Sequence, residues 1–299
     1  DGGCVAGPTP QETEEPPGPC MVVSSCDETN DNIVWAPDDC CYEGPFDDPT
    51  CFDDLDNNCD EQVDQEDLAC EFTPGIYGDL QLWLDAADEE SLDIMGMHVR
   101  RWIDRSGQQN HAYADGPQRP EIRRDAQNGL SVLNFNGGQH RLAIADESDF
   151  DAVDALTIFI VFNSDGYSRS YEALLTKGEG AWRIHRQRNE DFIAYHVNSG
   201  TTEANAISST NTSNTGFHLV NAHTAGSVHS LFLNGVLEGQ QTLEGPMNQN
   251  DSQVNLGSNP DADDRQWNGQ IGEVLVYISS LPEEDRERIE AYLMYKWGL

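Results

Sequence analysis

The cysteines of this chain are confined to its first 70 residues. They are Cys4, Cys20, Cys26, Cys40, Cys41, Cys51, Cys59 and Cys70, and none follows. The same stretch holds twenty acidic residues but no lysine, arginine or histidine. A segment so poor in apolar residues cannot be held together by burial, so the cysteines predict a disulfide framework, whose pairing the sequence leaves open. We therefore expect two parts that are stabilised in different ways.

Cysteine usage indicates the cellular compartment of the protein, and its charge excludes some classes of partner. Disulfides predict an extracellular or cell-surface protein, and the start at Asp1 is interpreted as a mature form whose leader was removed. The net charge of −38 disfavours nucleic acid and anionic membranes as partners. The longest apolar run, Leu156 to Phe162, is far shorter than the roughly 20 residues that cross a bilayer, so no membrane insertion is expected.

The composition divides the chain into four segments. These are an extended Pro/Gly/Glu-rich lead-in (1–19), an irregular cysteine-rich acidic segment (20–70), a hinge (71–79) and a larger module (80–299). In the module, short apolar-alternating runs between Gly, Asn and Asp turns predict an antiparallel β-sandwich. The predicted strands are Leu80–Asp85, Val99–Asp104, Val132–Phe135, Leu156–Asn163, Trp182–His185, Phe192–Val197, Phe217–Thr224, Val228–Leu233 and Ile271–Ile278.

Two local signals are specific. Asn234-Gly235 between alternating flanks predicts a tight β-hairpin. At the C-terminus, the run from Ser280 to Glu283 predicts a capping box, and Gly298 predicts the helix end. The helix between them places Ile289, Tyr292, Leu293 and Trp297 on one face, which we expect to dock onto the sandwich.

The module resembles the laminin-G-like domains of the concanavalin A-like jelly-roll superfamily. The resemblance is carried by LQLWLDAAD (80–88), VRRWIDRSGQQNHA (99–112), NGLSVLNFNGGQHRLAI (128–144), LTIFIVFNSD (156–165), HLVNAHTAGSVHSLFLNGVLEG (218–239) and the segment 267–299. It implies a mainly β, antiparallel jelly-roll sandwich with a C-terminal helix. It implies less about function, because such domains serve adhesion, sugar binding and architecture alike.

The acidic run DDLDNNCDEQVDQED has the spacing of a calcium loop. Oxygen-bearing side chains occupy positions 1, 3, 5, 7, 9 and 12 of such a loop, at Asp56, Asn58, Asp60, Gln62, Asp64 and Asp67. Glu61 stands where the loop normally has glycine. The alternative is a solvated acidic loop whose alternation is accidental. The run is also similar to a short acidic-cysteine repeat of bacterial surface proteins, which implies a structural metal loop; calcium is the cofactor expected, and copper is disfavoured because the segment has no histidine.

A second metal site is considered in the loop that follows Trp102. Asp104 and Asn110 offer oxygen ligands there. The favoured alternative is an Asx-type turn whose side chains bond to their own backbone.

Aromatic and basic residues suggest a ligand rim. Trp182 and Trp267 have polar neighbours, including Arg183, and exposed tryptophans stack on sugars, although packing in the core is the favoured alternative. The arginine pairs at 100–101 and 123–124, and the cluster of Arg183, Arg186 and Arg188, are islands of positive charge on an anionic chain. They either receive an acidic partner, including the N-terminal segment of another copy, or pair within the molecule.

Catalysis is not expected. Retaining glycosidases need two carboxyl groups about 5–5.5 Å apart across a cleft. The one E-x-D-x-E string, 283–287, follows Pro282 in the predicted helix and therefore points to solvent. We expect a non-catalytic adhesion or glycan-recognition protein whose partner is a glycan or a surface protein. The alternative is a structural subunit of an extracellular filament or layer, which assembles with other copies through the acidic arm.

Overall fold

The structure is a computed structural model that describes residues 21–27, 32–37, 73–145 and 148–299, and in the first two ranges it describes the backbone. The chain divides into two units, residues 1–73 and 74–299. In the first, β1 (Met21–Asp27) pairs antiparallel with β2 (Asn32–Pro37). This hairpin was not expected in a segment predicted to be irregular; the β-branched and aromatic residues of VVSS and NIVW favour it. The rest of the predicted cysteine-rich segment lies outside the described residues.

The second unit contains strands, short 3-10 turns and one α-helix. The strands are β3 (Leu80–Asp85), β4 (Leu92–Met95), β5 (His98–Trp102), β6 (Ala112–Tyr113), β7 (Glu121–Gln127), β8 (Leu130–Asn136), β9 (Leu142–Ile144), β10 (Ala155–Ser164), β11 (Ala173–Thr176), β12 (Trp182–Arg186), β13 (Ile193–Ser199), β14 (Thr202–Ile207), β15 (Phe217–Ala225), β16 (Val228–Leu233), β17 (Val236–Thr242), β18 (Val254–Leu256) and β19 (Asn268–Tyr277). The helix is α1 (Glu283–Trp297), and the 3-10 turns are Pro74–Ile76, Glu89–Ser91, Gly116–Gln118 and Ser148–Phe150.

The strands form two antiparallel layers. Sheet I has the order β17-β16-β15-β10-β19, and the free edge of β19 is shared by β3 and β8. Sheet II has the order β14-β13-β12-β11-β18-β9-β6-β5. Strand β7 pairs with both β5 and β8 and so joins the two sheets. The predicted mainly β, antiparallel jelly-roll sandwich with a C-terminal helix is confirmed.

The core lies between the two sheets, and the alternation of each strand determines what enters it. From sheet I, residues such as Ile158 and Ile160 of β10 enter the core; from sheet II, Trp182 and Ile184 of β12 do so. The two layers nearly meet where β17 of sheet I lies beside β14 of sheet II. A Cβ added at Gly239 of β17 would lie only 2.5 Å from the carbonyl oxygen of Ile207 in β14. Glycine therefore permits the close approach of the two layers.

All the predicted strands overlap observed ones, and the predicted hairpin is confirmed. Leu233 pairs with Val236, so the loop has two residues, Asn234 (φ +48°) and Gly235 (φ +75°). Positive φ at both positions is what a type I′ turn requires. Several strands were missed, chiefly β6, β7, β9, β14 and β18, because they are short or carry polar residues at most positions.

Helix α1 packs on the outer face of sheet I, as expected. Ile289, Leu293 and Trp297 are buried, and Gly298 ends the helix at φ +63°. The predicted capping box is wrong: Ser280 hydrogen-bonds through its hydroxyl to Nε2 of His223, and no side chain caps the helix start. The E-x-D-x-E string does lie on this helix, as predicted.

A buried charged cluster fastens the end of the helix. Lys296 donates to Glu273 of β19 (2.7 Å) and lies 2.8 Å from the Asp85 carboxylate of β3. Glu273 also accepts hydrogen bonds from the indole N–H groups of Trp83 (2.9 Å) and Trp297 (2.8 Å). Burial and the Asp85 charge raise the pKa of Glu273, while Lys296 and Trp297 oppose that rise.

Candidate functional site

The outer face of sheet II carries polar side chains across several strands. In β12, Trp182 and Ile184 enter the core, so Arg183 and His185, which alternate with them, lie on the opposite, outer face. The register continues this outward row to the neighbouring strands. Paired positions are Asn205 (β14), His196 (β13), Arg183 (β12), Thr176 (β11) and Asn255 (β18).

The loop between β18 and β19 covers one end of the row. Thr176 donates to the Ser258 carbonyl (3.1 Å), and Asn255 donates to the Ser258 hydroxyl (3.1 Å). The other end is flanked by half-buried or exposed side chains. We call the group Arg183, His185, His196, Tyr171, Glu179 and Arg265 the β12–β13 site.

Glu179 offsets part of the positive charge of the site. Its carboxylate lies 3.3 Å from the Arg183 guanidinium, pairs with Arg265 and accepts a hydrogen bond from Asn259. Its backbone carbonyl accepts a second bond from Arg183 (2.8 Å). Two arginines thus share one carboxylate, and the exposed Glu203 lies 3.5 Å from His196.

Both histidines of the site are neutral, but they differ in what their ring nitrogens contact. Nδ1 of His196 bonds to Asn205 (2.7 Å), and its Nε2 bonds to the Asn198 amide (3.0 Å). Burial lowers the pKa of His196, and the Arg183 charge acts in the same direction. This ring therefore has a partner for each nitrogen.

His185 has one nitrogen without a partner. Its Nδ1 lies 2.6 Å from the Arg186 carbonyl, which can only accept, so Nδ1 carries the hydrogen. Burial lowers the pKa of His185 to about 3, with the Arg183 charge adding to the effect, so the ring stays neutral. Nε2 is then a buried acceptor that no donor reaches.

Arg183 has a donor without an acceptor, the reverse of His185. The residue is 8% exposed, and its Nε–H is buried without an acceptor, although the neighbouring terminal nitrogen bonds to Glu179. Leaving a buried donor or acceptor unpaired costs about 1–3 kcal/mol for each group. The outer face of β12 therefore carries a donor without an acceptor, on Arg183, and an acceptor without a donor, on His185, two positions further along the strand.

Tyr171 and Arg265 border these groups. The Tyr171 ring centroid is 5.6 Å from that of His185, and the Arg265 guanidinium lies 4.9 Å from the Tyr171 ring. Tyr171 has φ +58°, a left-handed conformation that is disfavoured for a bulky residue by roughly 1–2 kcal/mol. Strained backbone of this kind is often found at ligand-binding positions.

The rim tryptophans predicted from the sequence are corrected by the structure. Trp182 and Trp267 have no exposed surface, because the first enters the sandwich core and the second packs against Phe162 and Tyr167. Neither presents a face on which a sugar could stack. Arg183, the third predicted rim residue, does lie on the outer face.

The loop considered as a second metal site is held by its own hydrogen bonds. Oδ1 of Asp104 accepts from the backbone of Trp83 and Ser106, and Oδ2 accepts from the Ser106 hydroxyl and the Asn110 backbone. The Asn110 amide donates to the Gln81 carbonyl. Within residues 73–145 and 148–299, no group of three or more His, Cys, Asp or Glu side chains is arranged to hold a metal. Asp104 therefore has a structural role, and a cation there stays a prediction.

The predicted calcium loop and its ligands, residues 56–67, lie outside the described residues. So do seven of the eight cysteines, and the structure describes only the backbone of the eighth, Cys26. Calcium and the disulfides stay predictions.

The arginine islands are partly paired within the molecule. Arg100 pairs with Asp93, and Arg124 forms three hydrogen bonds to Glu89, the closest at 2.8 Å. Arg186 is buried and donates to backbone carbonyls of the 169–190 region, with its guanidinium 4.8 Å from the Tyr167 ring. These contacts favour the intramolecular alternative for those side chains.

The site combines one residue that the sequence singled out with several that it did not. Strand alternation in WRIHR could have placed His185 beside Arg183 on one face. Tyr171, Glu179 and Arg265 come from three separate loops, of which only that of Arg265 is distant from β12 in the sequence, and they share no local pattern. None of the helices in the described residues, α1 included, combines the length and the apolar character that crossing a membrane requires.

Two antiparallel sheets around one core, with a helix on the outer face of one of them, define the concanavalin A-like jelly-roll class. The family model described as the concanavalin A-like lectin/glucanases superfamily matches residues 136–285, half of the chain, and the chain belongs to this superfamily. Comparison with curated proteins gives no match.

Solved structures agree with the fold at low sequence identity. Domain 4 of AbnA, a GH43 extracellular arabinanase from Geobacillus stearothermophilus, solved in complex with arabinotriose, is 10% identical with a TM-score of 0.54; the alignment covers 72% of this chain and 98% of that one. The binding domain of Paraclostridial Mosquitocidal Protein 1 is 11% identical with a TM-score of 0.54, and the botulinum neurotoxin serotype D binding domain is 14% identical with 0.51. These two alignments cover 71% and 72% of this chain but about half of each toxin domain, 52% and 51%.

Proposed function

We propose that residues 74–299 form a non-catalytic carbohydrate-recognition module of an extracellular or cell-surface protein, and that the β12–β13 site contacts the ligand. The observation that carries the proposal is the row of polar side chains across the outer face of sheet II, which the half-buried Tyr171 and Arg265 border. Sugar sites need a few polar groups that fix orientation beside an apolar surface. The half-buried Tyr171 ring supplies such a surface.

The superfamily includes both lectins and glucanases, so the support for recognition comes from the structural relatives. One relative is a domain of an arabinanase in complex with arabinotriose, and others are toxin binding domains. In the β12–β13 site, the Glu179 carboxylate is engaged by two arginines and Asn259, which favours a structural role for it over a catalytic one.

Calorimetric titration of the full chain with arabinotriose and with a panel of neutral and acidic oligosaccharides tests this proposal. Saturable binding without release of reducing ends supports it. Binding to no member of the panel, or turnover of the bound oligosaccharide, contradicts it.

A metal-stabilised, disulfide-linked arm at residues 20–70 is part of the same proposal. The alternating oxygen-bearing side chains from Asp56 to Asp67 and the eight cysteines support it. Metal analysis before and after chelation and a free-thiol count on the same sample test it. One bound calcium and fewer than one free thiol per chain are expected, and a chain with eight free thiols contradicts the framework.

A second candidate is self-assembly, favoured by the distribution of charge. Residues 98–141 hold seven arginines against four acidic residues, in a chain of net charge −38. Arg123 there is exposed on β7. The acidic arm of another copy is a complementary partner for this stretch. Electron microscopy with and without chelator tests it: calcium-dependent polymers support assembly, and a monodisperse monomer under both conditions contradicts it.

A further inference from the structure

The buried cluster that joins β3, β19 and α1 places one amine against two carboxyl groups. Nζ of Lys296 lies 2.8 Å from Oδ2 of Asp85 and 2.7 Å from Oε2 of Glu273. Glu273 is the direct partner of Asp85 in the β19–β3 register, so the two side chains leave the sheet side by side on one face. Asp85 is 3% exposed and Glu273 is 1% exposed. An amine and a carboxyl group are therefore held in contact with little access for water.

We infer that Lys296 and Asp85 condense into an isopeptide bond between Nζ and Cγ, and that Glu273 transfers protons in this reaction. The inference goes beyond carbohydrate recognition and does not depend on it. In the unlinked chain the same three groups form the ion pairs that fasten the end of α1. The intramolecular bond is a modification of the chain by its own residues.

The geometry brings the reacting atoms close together. Since a carbon–oxygen bond is about 1.2 Å long, Cγ of Asp85 lies within about 4.0 Å of Nζ of Lys296. Groups held in such contact react as if present at very high concentration. The Ala87 backbone N–H donates to Oδ1 of Asp85 (3.0 Å), and Arg105 donates to Oδ2 (2.8 Å). The N–H group at Oδ1 stabilises the negative charge that develops there when an amine adds to Cγ.

The reaction needs no reactant besides the chain itself. The Lys296 ammonium passes one proton to Oδ2 of the Asp85 carboxylate, and the free amine then adds to Cγ, which forms the C–N bond. Glu273 takes a second proton from the nitrogen and delivers it to Oδ2, so the Cγ–Oδ2 bond breaks and water leaves. Of the three ammonium hydrogens, one stays on the amide nitrogen and two leave with the oxygen, while Glu273 ends as it began.

Burial favours the amide over the ion pair. In water both ions are hydrated, whereas a buried pair loses that hydration, and condensation removes both charges. Burial also raises the pKa of Glu273, although Lys296 and Trp297 oppose the rise, and a raised pKa suits a carboxyl group that takes up and releases a proton near neutral pH. The indole N–H groups of Trp83 (2.9 Å) and Trp297 (2.8 Å) hold its two oxygens in place.

The bond joins β3, near the start of the module, to the last turn of α1. It closes almost the whole module into one covalent ring, and a cross-link that closes a long loop stabilises a fold by restricting the unfolded chain. Residues 71–299 contain no cysteine, so disulfides cannot supply such a constraint there. Unlike a disulfide, the isopeptide bond is not removed by a reducing agent.

Intact-mass spectrometry of the full chain, reduced and denatured, tests the inference. Condensation removes one water, so the mass should be about 18 Da below that of the sequence. A proteolytic digest should contain a branched peptide that joins the segment of Asp85 to that of Lys296. The full sequence mass, even after prolonged incubation of the folded chain, overturns the inference. So does a deficit that maps to a single linear peptide, as a cyclic imide would, or a branched peptide that joins the buried Lys177 to Asp151, another close pair (3.0 Å).

Three variants assign the roles of the groups. Lys296→Met removes the amine and Glu273→Gln removes the proton carrier, so each should show the full mass of its own sequence. Glu290→Gln, the same substitution at another buried carboxyl group, is the matched control and should keep the deficit of about 18 Da. A deficit that persists in Lys296→Met overturns the site, and one that persists in Glu273→Gln overturns the role of Glu273.

Folding and linkage are measured on the same samples. Near-UV circular dichroism shows whether each variant is folded, and the branched peptide of the wild-type chain decides the bond even where a variant is not. The intact mass also tells whether a sample is linked or ion-paired before its stability is measured.

Discussion

Replacing Lys296 by methionine tests whether the buried charged cluster fastens α1 to sheet I. Lys296 lies between Glu273, which is 1% exposed, and Asp85, which is 3% exposed. Although burial alone lowers it, the Glu273 and Asp85 carboxylates raise the pKa of Lys296 well above its ordinary value. Methionine keeps the length of the side chain and removes the charge that both carboxylates face.

The expected loss is large because one partner of a buried ion pair is removed while the other stays buried. Such changes destabilise a protein by about 3–5 kcal/mol. For a domain of this size each kcal/mol lowers the melting temperature by about 2–4 °C, so the fall should be roughly 6–20 °C. The indole donors Trp83 and Trp297 still reach Glu273, which places the expected value in the lower half of that range.

The loss should also depend on pH in a definite direction. Without Lys296, burial raises the pKa of Glu273 further above its unfolded value of 4.5, because the charge that opposed the rise is gone. The folded state then holds a proton that the unfolded state releases, so stability falls as pH rises above about 4.5. The deficit of Lys296→Met relative to wild type should therefore be smaller at pH 5 than at pH 8.

Near-UV circular dichroism melts at pH 5, 6.5 and 8 measure both quantities. Arg124→Met is the matched control, since its partner Glu89 is a surface carboxylate and exposed pairs contribute little. A melting temperature within 2 °C of wild type, or a deficit that shrinks as pH rises, would refute the reasoning.

Three further substitutions follow from the packing and the charges. Gly272→Ala places a Cβ 2.7 Å from the Trp297 ring, and overpacking of this kind should cost about 1–3 kcal/mol in urea unfolding. Burial raises the pKa of Glu290 in the folded protein to about 7, although Arg286 opposes the rise. The protonated carboxyl therefore stabilises the fold at pH 4.5, and about 3 kcal/mol of that contribution is lost by pH 7.5. Glu290→Gln should flatten that part of the stability–pH profile. Gly235→Ala has room for the methyl group but not the backbone preference for φ +75°, and should cost about 1–2 kcal/mol.

Each of these has a result that contradicts it. Gly180→Ala, where the added Cβ meets nothing closer than 3.6 Å, is the control for Gly272, and equal losses at the two positions would reject the packing argument. A Glu290→Gln profile parallel to wild type between pH 4.5 and 7.5 would show that the carboxyl does not titrate there. An unchanged urea midpoint for Gly235→Ala would mean that the turn tolerates a side chain at this φ.

Regular local patterns made much of the sheet architecture predictable. Leu156–Asn163 is a long apolar run that belongs to a buried strand, and it is the central strand β10. Asn234-Gly235 specifies its own hairpin, since few residue pairs adopt positive φ at both positions. Strands such as β6 and β18 escaped prediction because two or three residues are too few to show a period, and their pairing partners lie far away in the sequence.

The candidate site was predictable only in part, since its members have different origins. Arg183 was singled out as a polar neighbour of Trp182, but Trp182 is a core residue, as is Trp267, because size and apolar area outweigh polar sequence neighbours. His185 lies two residues away on the same strand face, so alternation alone could have added it.

By itself, the sequence determined the cysteine boundary, the sign of the charge, the jelly-roll class and the helix face that docks on it, because these depend on composition and on periods of a few residues. The tertiary structure alone decided that Tyr171, Glu179 and Arg265 meet around β12, and that His185 and Arg183 keep one unused group each. The physical reason is that hydrogen-bond partners are assigned by contacts between distant segments, so which polar groups are left for a ligand is known only once every strand and loop is in place.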